Sequence, residues 1–277
     1  MAINTLDKLI DALGNNSSRF IIDKASLANT VAGQIFSMWT AAGIPGAGAA
    51  PGTTPIVPTK ATTGAIGFTN QVSPATSYLA WWTAFFGNAT SSVELHDRLA
   101  SVGGASGIIF SPTVQTTGIA VDLTTTNPGA ARIGAADYSD VTWFLEVFSG
   151  LGATGVNATF TVRYNDNSTG TLPAIALGTN PRQGRLYPLI SNSPGLFIRG
   201  VIDCTLSAST GTAGNFGVTA TRQRAVIQSP LANWPTIADW AALGLPEIAN
   251  DACLFPVMLC STTLTGTVRG QGKIAHG

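Results

Sequence analysis

Hydrophobic positions near the start of the chain recur at helical spacing. Leu6, Leu9, Ile10 and Leu13 fall on one face of a short helix, and Gly14 is placed to end it. The pattern therefore predicts an N-terminal helix.

Three further segments of the first hundred residues also carry helix signals. The spacing of their apolar residues predicts helices over 26–42, 73–87 and 91–103. The last of these opens on a capping-box pattern, in which a serine is followed three residues later by a glutamate. We therefore expect residues 1–104 to be helical in pieces.

Proline and glycine interrupt this part of the chain. Residues 43–67 contain them at a density that allows neither a helix nor a regular strand ladder. A stretch of this length without secondary structure is unusual inside a compact domain. The segment is predicted to be an extended arm or linker.

Beyond residue 105 the hydrophobic period changes to two. Phe160, Val162 and Tyr164 alternate with threonines and an arginine, and residues 141–148 form another strand-like run. Short strands separated by Gly, Pro and Asn turns are typical of an antiparallel β-sandwich or jelly roll. We predict a mainly β fold with a helical N-terminal part and extended arms.

The expected organisation is three consecutive regions. Residues 1–104 form a helical region with the arm at 43–67, residues 105–228 form the β-sandwich body, and residues 229–277 add helical turns and a strand extension.

Charge is sparse along the whole chain. Lys and Arg number 14, Asp and Glu also number 14, and charged residues make up 10% of the sequence, against about 25% in an ordinary soluble domain. A net charge of zero argues against nucleic-acid binding through counterion release. The most apolar run, Leu79–Phe86, is too short to cross a bilayer, and we expect no membrane association.

Several motifs match catalytic or binding patterns only superficially. Gly150–Gly155 fits the dinucleotide fingerprint, but a strand pattern follows where a phosphate-binding helix is required, so a hairpin connection is expected. His96 is expected at the surface or an interface, and His276 lies one residue from the end, where chains are usually mobile.

Metal and acid sites are also poorly supported. Cys253 and Cys260 fit no zinc-ligand spacing, and the three cysteines are interpreted as buried thiols. Asp166 lies in a predicted turn. Asp140 and Glu146 are six residues apart on one predicted strand, about 20 Å, which is too far to act on one bond. We therefore predict no catalytic residue, no metal and no cofactor.

The aromatic cluster Trp81, Trp82, Phe85 and Phe86 allows two interpretations. It either packs in the core or contacts a partner subunit. Two adjacent tryptophans cannot face the same side, so one of them is a candidate for an intermolecular contact.

Together these features predict a non-enzymatic subunit that is completed by neighbouring copies. Low charge and Gly/Pro-rich arms suit a chain that buries surface on its neighbours. The candidate interface residues are Trp39, Pro45, Pro51, Pro55, Pro58, Trp81, Trp82 and Phe86.

The chain also resembles structural proteins of tailed-bacteriophage virions, particularly capsid decoration (cement) proteins. The resemblance lies in the short N-terminal helix, the Ala/Gly/Pro/Thr arm, and strands such as Thr142–Val147 and Ala158–Val162. It implies a jelly-roll body with arms, a homo-oligomer such as a trimer, and contacts with the major capsid protein or other virion subunits. It also implies location in the virion after assembly in the host cytoplasm.

Two groups of alternatives remain open. A major capsid or tail structural protein would share the same features. A β-sandwich hydrolase would need two acids within about 5–10 Å of each other, and a carbohydrate-binding module would need an exposed Trp81, Trp143 or Trp234.

Overall fold

Strands make up 43% of the chain and helices 7% in the computed structural model, which describes residues 3–27, 30–88, 91–263 and 266–277. The strand pairings given below are all antiparallel. This confirms the prediction of a mainly β fold with an antiparallel sandwich or jelly-roll body.

The helices are α1 (Leu6–Asn15), α2 (Ala130–Ile133) and α3 (Trp240–Leu243). The strands, in chain order, are β1 (Ser17–Lys24), β2 (Ile35–Ser37), β3 (Gly43–Ile44), β4 (Ser77–Phe86), β5 (Ser91–Ala105), β6 (Val121–Asp122), β7 (Thr142–Ser149), β8 (Val156–Tyr164), β9 (Thr169–Thr171), β10 (Ile175–Gly178), β11 (Arg185–Leu189), β12 (Ile198–Leu206), β13 (Asn215–Ser229), β14 (Thr236–Ala238), β15 (Glu247–Ile248), β16 (Leu254–Cys260) and β17 (Val268–His276).

The chain divides into two units, and both are discontinuous in sequence. Unit 1 contains Met1–Gly48, Thr59–Asp97 and Gln223–Gly277, and unit 2 contains Ala49–Pro58 and Arg98–Arg222. The C-terminal residues thus fold with the N-terminal ones, whereas the sequence suggested three consecutive regions.

Unit 1 is built from two groups of strands. One sheet has the order β14-β4-β17-β1-β3, with β15 also paired to β4. The second group pairs β2 with β16 and β16 with the first residues of β5. Buried side chains of both groups form one core cluster, which includes Phe20, Ile22, Phe36, Leu79, Trp82, Phe86, Val93, Leu95 and Met258.

Unit 2 is also built from two groups of strands. One sheet has the order β10-β8-β12-β6, with β9 paired to β8, and in the other group β7 lies between β11 and β13. Phe160 and Val162 of β8 point into a core that also contains Leu145 and Val147 of β7. The period-two alternation of residues 158–164 therefore predicts this layer correctly.

A buried ion pair lies within unit 2. The Arg98 Nη2 group donates to Glu146 Oε2 at 2.6 Å, to the Ser101 hydroxyl at 2.9 Å and to the Thr219 hydroxyl at 3.0 Å. Both charged side chains are 1% exposed. Two of the few charges of the chain are thus placed inside its core.

The N-terminal helix prediction is confirmed, although α1 continues past Gly14 to Asn15. The other three helices are wrong. Residues 26–42 contain the short strand β2, with residues 28 and 29 outside the described part, and residues 73–87 and 91–103 are occupied by β4 and β5.

The reason for the error is that both faces of β4 are apolar. In β4 the inward residues include Trp82, Ala84 and Phe86, while Thr83 on the opposite face is also buried. A strand with apolar residues on both faces gives a nearly continuous apolar run, and such a run cannot be distinguished from a helix by its periodicity.

Candidate assembly surface

The motif at Gly150–Gly155 connects two layers of unit 2. It lies between β7 and β8, and these two strands pair with other strands instead of with each other. The predicted hairpin is therefore wrong, because the loop crosses from one sheet to the other. A strand follows the glycines, as the sequence indicated.

Both histidines are buried, against expectation. His96 lies in β5 with its Nε2 atom 2.7 Å from Glu94 Oε2. His276 has the Ser18 hydroxyl at 2.7 Å from Nε2 and the Ser77 hydroxyl at 2.9 Å from Nδ1. Burial, followed by the positive charge of Lys60, holds the pKa of His276 below its ordinary value.

The three cysteines are free and buried, which confirms that part of the interpretation. Burial raises the pKa of the Cys204 thiol. Within the described ranges, no group of His, Cys, Asp and Glu side chains is placed to hold a metal ion.

The acids on and near β7 act in separate ion pairs. Asp140 accepts from Arg222 Nη2 at 2.8 Å, and Glu146 is paired to Arg98.

Asp166 lies in a turn between β8 and β9, as predicted. Its carboxylate accepts from the backbone N–H and the hydroxyl of Ser168.

Apart from β3 at its first two residues, which pairs with β1, segment 43–67 is irregular as predicted, but it is not a free arm. Ile56 exchanges two backbone hydrogen bonds with Ser101, at 2.9 and 3.0 Å, and the Gly103 N–H donates to the Gly52 carbonyl at 3.0 Å. The segment lies against strands of its own chain, because its backbone groups find their partners there.

Trp39 holds the beginning of this segment. Its carbonyl accepts from the Gly48 N–H at 2.8 Å, and its indole ring lies against the backbone of Gly48 and Gly64. A Cβ atom at Gly48 would stand 2.2 Å from Trp39 Cε2. Only glycine therefore fits beneath the ring at this position.

Replacing Gly48 with alanine should lower the free energy of unfolding by about 1–3 kcal/mol, because the new methyl group overlaps the indole. Gly52→Ala is the matched control, since nothing lies within 4 Å of a Cβ at Gly52, and its effect should stay within about 0.5 kcal/mol. Chemical denaturation of both variants measures the difference, and equal stabilities would contradict the packing described.

Lys24 anchors the same segment from β1. Its ammonium group is completely buried and donates to the carbonyls of Ala41 at 3.0 Å and Gly46 at 3.2 Å. Burial lowers the pKa of Lys24 from 10.5 to about 8. The folded chain therefore holds this proton less tightly than the unfolded chain does.

Stability should consequently rise with pH between pH 8 and pH 10.5, the folded and unfolded pKa values of Lys24. We expect a gain of about 1–3 kcal/mol in the free energy of unfolding, a gain that Lys24→Met lacks. Lys8→Met in α1 is the control and should keep the rise, because the Lys8 ammonium group bonds only the exposed side chain of Asn4 among the described contacts. Parallel pH profiles for wild type and Lys24→Met would contradict this role.

The predicted interface residues fall into two groups. Trp39, Trp82, Phe86, Pro51 and Pro58 are buried within the chain, so their side chains serve its own packing. Pro45, Pro55 and Trp81 are half-buried, and an intermolecular contact for these three stays a prediction.

The solvent-facing side of β1, β17, β4 and β14, referred to as the outer face, carries unpartnered apolar residues. The strand register places Ile21, Gln271, Thr83 and Ile237 in one row across it. Ile21 is 48% exposed and Ile237 is 70% exposed. Sequence reasoning missed this face, because Phe20, Ile21 and Ile22 read as one apolar run and only the structure shows that Ile21 is exposed.

Two neighbouring rows complete the outer face. Asp23, Arg269 and Phe85 form one row, and Arg19, Lys273 and Trp81 form the other. A groove of about 510 Å³ runs over the face. The groove is lined by Arg19, Ile21, Ile22, Asp23, Thr83, Phe85, Pro235, Ile237, Arg269, Gly270 and Gln271.

The helix α1 covers one end of this sheet. Leu9 and Ala12 of the helix pack on Ala80 of β4 and Ala275 of β17. The three rows of the outer face lie beyond that contact along the strands. The sheet thus has a covered end and an open apolar region.

The segment before and after β14 adds more exposed apolar surface. Trp234 is 61% exposed, and Leu231 and Trp240 are also exposed. Pro235 connects this segment to the groove, because it contributes to the groove lining.

Three grooves among the described residues lack the acid pair that a hydrolase would need. Asp23 is the one acid lining the outer-face groove in the described part of the chain, and it is paired to Arg269. Two further grooves, one lined by Gly33 and Cys260 and one by Trp143 and Pro194, contain no acid among their described residues.

Comparisons with known proteins give limited information. No protein-family model and no curated protein sequence matches the chain.

In the described ranges, no helix has the length and apolar character that crossing a membrane requires.

Solved structures to which the chain is similar include viral capsid proteins. The VP2 subviral particle of infectious bursal disease virus is 11% identical, with a TM-score of 0.19 over 94% of this chain and 81% of that chain. A Gt-strain structure of the same virus is 11% identical, with a TM-score of 0.16 over 96% and 86%. Similarity at this level is too low to establish a common fold or function.

Proposed function

We propose that this protein is a non-enzymatic structural subunit of a virus particle, which stabilises a shell by contacts between subunits. Its partners are copies of itself and other virion subunits, and its place is the virion. The resemblance in sequence style to tailed-phage decoration proteins supports a decoration or cement role, in a homo-oligomer such as a trimer, ahead of a major capsid or tail role.

The observation that carries this proposal is the combination of a low number of charges with exposed apolar surface. The chain has few charges, and several of them are buried: Lys24, Asp97, Arg98, Arg132 and Glu146. Large apolar side chains are exposed on and beside the outer face, among them Ile21, Trp234 and Ile237. A surface of this kind is suited to contact with other subunits, since exposed apolar patches mark interaction sites.

Polar substitutions on the exposed apolar side chains test this function. Trp234→Ser and Ile237→Ser should raise the concentration at which the protein assembles, because each removes apolar area that association would bury. The melting temperature should remain close to that of the wild type, since neither side chain belongs to the core.

Light scattering over a concentration series measures assembly, and calorimetry measures stability. If the wild type assembles and both variants assemble equally well, Trp234 and Ile237 do not take part in the contact between subunits. A wild type that stays monomeric throughout would contradict the proposed function itself.

A carbohydrate-binding function is the second candidate, and the exposed indole of Trp234 favours it. Of the other two tryptophans considered for that role, Trp143 is buried with its Nε1–H donated to the Ile198 carbonyl at 2.7 Å, and Trp81 is half-buried. Quenching of tryptophan fluorescence by soluble polysaccharides, lost in Trp234→Ser, would support this candidate over assembly.

A further inference from the structure

We propose that the outer face of unit 1 binds the same face of a second copy, with Arg19 of each copy paired to Asp23 of the partner subunit. The two-fold axis runs between the two sheets and parallel to them. It is perpendicular to the strands and passes over the row that contains Ile21. This inference rests on the proposed function, because it names the partner of the outer face.

The charge pattern of β1 is self-complementary about Ile21. Arg19, Ile21 and Asp23 point to the outer face, while Phe20 and Ile22 point to the core. The two charges lie two residues on either side of Ile21, at about 7 Å along the strand. When two copies of β1 face each other in antiparallel directions, Ile21 meets its counterpart and each Arg19 meets an Asp23.

Such a contact satisfies the condition for a symmetric dimer. An interface formed by the same patch on both subunits must be complementary to itself. Opposite charges at equal distances from the axis give two ion pairs from one pair of residues. Like charges at these positions would instead repel twice.

The present partners of both residues leave room for this pairing. Arg19 donates through Nη2 to the neutral side chain of Gln271, and Asp23 Oδ1 accepts from Arg269 Nε at 3.1 Å. The Asp23 side chain is 49% exposed. A carboxylate has about four acceptor sites, so Asp23 can accept from Arg269 and from a partner's arginine together.

The remaining rows also match across the same axis. Ile237 would face Ile237 of the partner subunit, and Trp81 would face Phe85 of the partner subunit. Lys273 would approach Arg269 of the partner subunit. That repulsion is weakened because Lys273 Nζ donates to the Leu13 carbonyl and Arg269 is paired to Asp23.

The hydroxyl of Thr83 provides an independent observation. It is buried on the outer face and, among the residues the structure describes, has no hydrogen-bond partner. Buried polar groups are rarely left unpaired in proteins. Across the proposed axis Thr83 meets Thr83 of the partner subunit, and the hydroxyl of one can donate to the hydroxyl of the other.

The position of α1 is compatible with this arrangement. A helix packed on a sheet has a diameter of about 10 Å, and two stacked sheets also stand about 10 Å apart. The partner's sheet therefore occupies the same layer as α1, beside the Ala80 and Ala275 end that the helix covers.

Charge reversal tests the pairing with the full chain. Arg19→Glu and Asp23→Arg should each raise the dissociation constant at least about tenfold in sedimentation velocity, because each places like charges opposite each other. An equimolar mixture of the two variants should recover association. In the mixed dimer the carboxylate introduced at position 19 meets the guanidinium introduced at position 23, and the unchanged Asp23 meets the unchanged Arg19. The double variant should also recover association with itself.

Each result supports or overturns the inference. Single variants that associate as the wild type does would overturn it while leaving the proposed function in place. Loss in the single variants without recovery in the mixture and in the double variant would overturn the two-fold register. A wild type that does not associate at all would overturn the proposed function as well.

Stability is measured on every variant, because Asp23→Arg replaces the pair with Arg269 by two neighbouring like charges. The loss of one exposed pair costs about 0–1 kcal/mol, so all variants should remain folded. Asp23→Asn keeps the size of the side chain and provides a second variant. It should weaken association less than the charge reversal does, and unchanged association of Asp23→Asn and Arg19→Glu together would contradict the pairing.

Discussion

Replacing Glu146 with glutamine should lower the free energy of unfolding by about 3–5 kcal/mol. The Glu146 carboxylate accepts from Arg98 and from the Thr219 hydroxyl, at 2.6 and 2.5 Å. Removing its charge takes away the carboxylate that pairs with the buried Arg98 guanidinium. The penalty is therefore set mainly by desolvation of Arg98.

The control is Asp140→Asn, which weakens an ion pair on the surface of the same unit. The Asp140 side chain is 43% exposed and lies 2.8 Å from Arg222, so its loss should cost about 0–1 kcal/mol. Urea denaturation of both variants gives the comparison. Similar costs for the two substitutions would mean that the Arg98–Glu146 pair is not buried as described.

Trp82→Ala should destabilise the fold by about 3–5 kcal/mol, because it removes a fully buried indole from the core of unit 1. Trp81→Ala is the matched control on the neighbouring residue. Trp81 is half-buried on the outer face, so its substitution should cost less stability and should weaken association instead.

Thermal denaturation and sedimentation velocity separate the two effects. We expect Trp82→Ala to act on the melting temperature and Trp81→Ala to act on the association constant. The reverse assignment would contradict the orientation of β4, because adjacent residues of a strand point to opposite faces.

The β body was predictable from the sequence where one face of a strand is exposed. Residues 158–164 alternate because Phe160 and Val162 enter the core while their neighbours do not. This contrast is lost in β4, where both faces are apolar, and in β5, where both faces are largely buried. The capping-box pattern at Ser91 and Glu94 then indicated a helix that tertiary packing does not form.

The divergence of Trp81 and Trp82 was predictable despite the wrong secondary structure. Adjacent side chains diverge in a helix and point to opposite faces in a strand, so one tryptophan had to leave the core in either case. The packing of segment 43–67 was not predictable, because composition reports the absence of a helix or ladder and says nothing about tertiary partners. The fit of Gly48 beneath Trp39 depends on residues brought together by folding.

The outer face could not be predicted from the sequence. Arg19, Ile21 and Asp23 alternate with buried residues in the structure, but in the sequence Phe20, Ile21 and Ile22 form one apolar run between polar residues, which lacks the period-two signal of a half-buried strand. The neighbouring rows depend on the pairing of β1 with the distant strand β17, which the sequence does not show either.

The central claim is that the chain is completed by other subunits, and native mass spectrometry with electron microscopy of the purified wild-type protein tests it most directly. We predict symmetric oligomers or particles whose share grows with protein concentration. A single monomeric species at every concentration, with no larger assembly in the micrographs, would contradict it.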